Sequence, residues 1–133
     1  MPSLASRDRL GNTLIGGVKD DSLTGDQGSD SLVGNDGADT LTGGDSVPGA
    51  NTNDTLVGGA GADLLDGVFG DDVLFGGGDN DILVGASGND SMDGGPGDDV
   101  LSAAFDDDTA VATAGNDTLT GGTGNDTLEG GAG

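Results

Sequence analysis

The chain has 133 residues, of which 30 are glycine, 25 are acidic and only three are basic, for a formal net charge of -22. It has no cysteine, histidine, tryptophan or tyrosine, which excludes a disulfide framework and a zinc–thiolate centre. Phosphate binding needs Lys and Arg, and Arg7, Arg9 and Lys19 are the only cations, so a nucleic-acid partner is excluded. No apolar run approaches the ~18 residues of a membrane span, and the opening MPSLASRDRL lacks the apolar core of a secretory signal. Low hydrophobicity combined with this much charge describes a chain that stays unfolded without a further source of stabilisation.

Residues 1–15 are predicted to be a degenerate N-terminal cap, because RDRLGNTLI keeps only Asn12 and Leu14 of the pattern that follows. From Gly16 to Gly133 a nine-residue unit repeats, with Asp at its sixth position and an apolar residue at its eighth. GGVKDDSLT has Lys19 in place of the fourth-position glycine, whereas GDQGSDSLV and GNDGADTLT fit well. Gly43 to Val57 is longer than one unit, which predicts a loop insertion near 45–50 that leaves the stack intact and disturbs the adjacent site. Five units then follow without a gap: GGAGADLLD, GVFGDDVLF, GGGDNDILV, GASGNDSMD and GGPGDDVLS. AAFDDDTAV has no glycine, and its Ala110 fills the core position weakly. ATAGNDTLT recovers the pattern, and the chain stops at GGAG inside a turn, which reads as a truncation or as the boundary of a longer protein.

Glycine at the first, second and fourth positions opens backbone angles closed to other residues, so the chain turns sharply. The last three positions alternate outward, inward and outward, as a short strand does. One unit cannot bury its single apolar side chain alone, whereas stacked units can, so the repeat predicts a solenoid. The pattern G-G-x-G-x-D-x-U-x, with U apolar, resembles the calcium-binding repeats of the RTX (repeats-in-toxin) family of secreted bacterial proteins. The resemblance implies an all-β fold, a right-handed parallel β-roll of two sheets with 18 residues per turn and calcium in the turns. A three-residue strand bounded by six-residue turns agrees with two reversals per coil.

Of the acidic residues only Glu129 is not Asp, and Asp is favoured where a short carboxylate must act close to its own turn. Stacking places Asp63, Asp81 and Asp99 in one column and Asp54, Asp72 and Asp90 in the other. Carboxylates ~4.8 Å apart repel by about 1 kcal/mol in water and about 3.5 kcal/mol at an effective dielectric of 20. A divalent cation reverses that sign. Calcium suits the site because it accepts six to eight oxygens in a tolerant geometry, whereas magnesium keeps its water. The expected cofactor is several Ca2+ ions. The expected ligands are Asp30, Asp39, Asp54, Asp63, Asp72, Asp81, Asp90, Asp99, Asp117 and Asp126. Backbone oxygens are expected from Gly58, Gly59, Gly61, Gly67, Gly70, Gly76, Gly77, Gly85, Gly88, Gly94, Gly95 and Gly97. The intact loop pairs are Asp63 with Asp81, Asp81 with Asp99, and Asp72 with Asp90. Pairs that involve Asp21, Asp54 or Asp108 depart from the pattern, and Asp79 replaces a fourth-position glycine.

Without His or Cys, and with carboxylates only where the repeat demands them, the chain is not expected to be an enzyme. The resemblance implies a calcium-dependent folding module of a secreted or cell-surface bacterial protein, disordered without calcium and exported by a type I channel. A structural, adhesive or ice-binding surface on the same roll is the alternative, although Val68-Phe69 and Gly77-Gly78 interrupt the Thr/Asn ladder that ice binding needs. Outward rows Leu64, Ile82, Val100 and Val33, Val57, Phe75 would offer a surface to other domains of a longer parent protein.

Overall fold

A computed structural model of the protein describes residues 3–5, 10–44 and 52–133. Strands alternate between two parallel sheets, each of seven strands. Numbered in chain order, the first sheet holds β1 Ser3–Ala5, β3 Ser22–Asp26, β5 Thr40–Gly44, β7 Leu64–Phe69, β9 Ile82–Ser87, β11 Val100–Phe105 and β13 Thr118–Thr123. The second holds β2 Thr13–Ile15, β4 Ser31–Asp36, β6 Thr55–Ala60, β8 Val73–Gly78, β10 Ser91–Asp93, β12 Thr109–Val111 and β14 Thr127–Glu129. The described residues include no helix long and apolar enough to cross a membrane.

The register follows the eighth positions. Leu23, Leu41, Leu65, Leu83, Leu101 and Leu119 pair in sequence across the first sheet. Leu14, Leu32, Leu56, Leu74, Met92, Ala110 and Leu128 do so across the second. These side chains meet between the sheets, and from Leu23 to Leu101 they are buried. One large apolar side chain per unit is therefore the whole core, except around Ala110. There Ala103, a first-position residue, is also fully buried and joins the same cluster.

Two expectations need correcting. Strands such as β6, β7 and β9 run six residues rather than three. Their ladders continue around the corner into the next unit, where Gly59 pairs with Gly77 and Ala60 with Gly78. The left-handed backbone is also confined to the second and fourth positions; first-position glycines do not adopt it. The first unit, expected as a degenerate cap, pairs Thr13–Ile15 with Ser31–Val33.

The proposed insertion at 45–50 lies outside the described residues. Its effect on the stack is nonetheless visible, because Ser31 pairs with Thr55 and Thr40 with Leu64 in unbroken register. Lengthening a closure from 18 to 24 residues costs only about 0.3 kcal/mol of chain entropy, so the roll resumes with little penalty.

In most loops the left-handed turn falls on whatever residue occupies the second position. At Val68 φ is 80°, a conformation in which a β-branched side chain is strained. Val68→Gly is therefore expected to stabilise the calcium-loaded roll by about 1–2 kcal/mol. Denaturant unfolding at saturating calcium would measure it, and a destabilised variant would show that Val68 packing outweighs its strain.

Candidate metal centre

The sixth-position aspartates line the two edges of the roll as continuous columns. The N–H of each donates to Oδ1 of its counterpart one turn later: Asp54 to Asp72 at 2.7 Å, Asp72 to Asp90 at 2.9 Å, and Asp90 to Asp108 at 2.7 Å. On the other edge Asp39 donates to Asp63 at 2.8 Å, Asp63 to Asp81 at 2.9 Å and Asp81 to Asp99 at 2.9 Å. Asp30 to Asp54 continues the first column across the insertion at 2.7 Å. Asp99 to Asp117 and Asp108 to Asp126 extend both columns toward the C-terminus. Asp21 and Asp108, whose loops depart from the pattern, are as buried as their neighbours. Asp108 sits in the column like the others, and the Asp21 N–H donates to Asp39 Oδ1 at 2.8 Å. Asp117 and Asp126 are only partly buried.

The second carboxylate oxygen is the informative one. Oδ2 of Asp39, Asp63, Asp72, Asp81, Asp90, Asp99, Asp108 and Asp117 is buried without a hydrogen-bond partner. It lies against the first-position glycine of its own unit. A Cβ on Gly58 would collide with Asp63 Oδ2 and stand 2.6 Å from the Gly76 carbonyl oxygen, and one on Gly76 would meet Asp81 Oδ2 and the Gly94 carbonyl oxygen at 2.7 Å. Glycine is needed there for space rather than for backbone angle. At the second and fourth positions carbonyls point along the roll axis at the equivalent residue one turn on. A Cβ on Gly77 would strike the Gly59 oxygen, one on Gly61 the Gly37 oxygen, and one on Gly88 the Gly70 oxygen. Each loop thus holds a buried carboxylate oxygen beside its own first glycine and directs second- and fourth-position carbonyls along the roll axis.

Burial dominates the electrostatics. It raises the Asp63 carboxyl to about 6 and those of Asp72, Asp81 and Asp90 to about 7. The backbone N–H donated to each opposes this, and neighbouring aspartates add to it. Asp39, Asp99 and Asp108 are raised from the same main cause. No basic residue follows Lys19 in the sequence.

A second ladder, at the fifth position, escaped the reading of the sequence. On one edge Asn53, Asp71, Asn89, Asp107 and Asn125 alternate, each Oδ1 accepting the N–H of the residue one turn later. Asn125 Nδ2 also donates to Asp107 Oδ1 at 3.0 Å, and Asn116 Nδ2 to Asp98 Oδ1 at 3.1 Å. The alternation holds adjacent loops together without placing two charges in succession. The available signal was a comparison at a spacing of 18 rather than nine.

Among the described residues no group of three carboxylates converges as a metal cluster. An ion in these columns would rest on one or two carboxylates supplemented by carbonyls. Such a set contains only hard oxygen donors in a flexible glycine-rich frame, which fits calcium. A family model described as the RTX calcium-binding nonapeptide repeat, in four copies, matches residues 10–41, 48–83, 66–101, 75–110 and 102–133. No curated protein matches the chain.

Proposed function

Because this chain belongs to the RTX calcium-binding nonapeptide repeat family, we propose that it is a folding module driven by calcium, disordered until several ions fill its edges. The family is a structural, non-catalytic repeat that binds Ca2+. The observation that carries the proposal is the row of buried, unpartnered Oδ2 atoms along both edges. Burying like charges without partners costs several kcal/mol per group, and a core of one side chain per unit offers little to offset it. Calcium supplies the missing opposite charge, so its binding free energy becomes folding free energy.

The proposed ligands are the columns from Asp30 to Asp99 with Asp108 and Asp126, completed by second- and fourth-position carbonyls such as those of Gly59, Gly61, Gly70 and Gly77. When bound, calcium supplies the charge; the chain supplies the register. Each Asp Oδ1 ties its loop to the preceding turn, leaving Oδ2 for the ion. First-position glycines keep that oxygen unobstructed.

Such a module suits a secreted bacterial protein. It would remain unfolded in a cell interior poor in calcium, pass an export channel as an extended chain, and fold outside. Far-UV circular dichroism during a calcium titration, with magnesium as control, tests this reading. A cooperative coil-to-β change with calcium alone is expected. A β spectrum already present in chelator at neutral pH would show that the core suffices and would defeat it.

A further inference from the structure

Most loops share one backbone form, with the second and fourth positions both left-handed. Even the glycine-free loop 103–108 keeps it, with φ of 88° at Ala104 and 75° at Asp106. Loop 112–117 does not. Gly115 is left-handed, but Thr113 is absent from that region, which a β-branched residue enters only with strain.

The consequence is a reversed amide. Two turns earlier on this edge, in loop 76–81, the second-position N–H points forward, from Gly77 to the Gly94 carbonyl at 3.1 Å, and in the intervening loop the Gly95 N–H turns to Asp93 Oδ1 at 3.1 Å. The Thr113 N–H instead points back, to the Gly95 carbonyl at 3.3 Å. A hydrogen-bond donor therefore occupies the face of a second-position carbonyl that the other loops turn toward an ion. Its positive end opposes a cation there.

Building on the calcium reading above, we propose that Thr113 ends one of the two calcium columns. The gap between loops 94–99 and 112–117 holds no ion, whereas the opposite edge continues through Asp90, Asp108 and Asp126. The two edges of the roll then carry unequal numbers of ions, and the C-terminal part of the shorter column is held by hydrogen bonds, among them the Asp99 N–H to Asp117 Oδ1.

Counting bound calcium on the whole chain at neutral pH, by native mass spectrometry supported by equilibrium dialysis, tests this. Thr113→Gly is expected to bind one more ion than the wild type. Thr113→Asn should also gain binding, since Asn35 already occupies a second position at φ 81°. Ala104→Gly, at the equivalent position of a loop that is already left-handed, should leave the count unchanged. Equal, non-zero counts in wild type and both Thr113 variants would overturn this proposal alone. An extra ion in Ala104→Gly would also overturn it, because glycine content rather than the reversed amide would then set the number. No calcium on any of the proteins would overturn the calcium reading and this inference with it.

Discussion

Lowering the pH from neutral to about 4.5 without calcium is expected to fold the chain, because protons can replace the ion's charge. The direction follows from the columns. Burial raises Asp72, Asp81 and Asp90 to about 7 and Asp63 to about 6, whereas an unfolded aspartate titrates near 3.9. Between those limits the folded state holds protons that the unfolded state does not. Metal-free stability therefore rises as pH falls through about 7 to 4, and is lost again as pH rises through the folded values. Calcium behaves oppositely, since a ligating carboxylate must be deprotonated. The calcium midpoint should climb as the solution is acidified, until near the lower limit folding no longer depends on calcium. Circular dichroism in calcium-free buffer from pH 7.5 to 4 reads the first effect, and titrations at several pH values the second. A metal-free chain that stays coil throughout would mean that column repulsion is not what keeps it unfolded.

Asp81→Asn should separate the two roles of a column carboxylate. Asn retains an Oδ1 to accept the Asp63 N–H, which the wild type holds at 2.9 Å. It removes one charge from between Asp63 and Asp99, both of which raise the Asp81 carboxyl. The metal-free variant is thus expected to fold at a higher pH than the wild type. In calcium the sign reverses, because a carboxylate shared by two loops is lost. The calcium concentration at the folding midpoint should rise at least tenfold, a loss of about 1.4 kcal/mol. A variant that shifted both midpoints toward easier folding would remove Asp81 from the ligand set. One that made both harder would assign it a packing role.

The fold was largely legible because its units are short and its constraints are local. An aspartate at every sixth position and an apolar residue at every eighth set the strand register, and Leu56, Leu74 and Met92 pair as that spacing requires. The row Leu64, Ile82, Val100 does stack in register and is exposed. What was not legible depends on relations between turns. The need for glycine at Gly58 comes from the carboxylate of Asp63 and the carbonyl one turn later, neither of which a single unit reveals. Ala103 looks like a defect in its own loop, yet it is fully buried and belongs to the core cluster. Asp106 and Ala104 lack the glycine signature and still take the left-handed turn, since their neighbours above and below dictate it.

The hydrogen bonds of the columns all run one way: the amide of Asp54, Asp63, Asp72 or Asp81 is met by a carboxylate that the chain supplies 18 residues later. Closure of the roll is therefore vectorial. The amide of each turn is met only once the following turn is in place, so the columns form from pairs of adjacent turns.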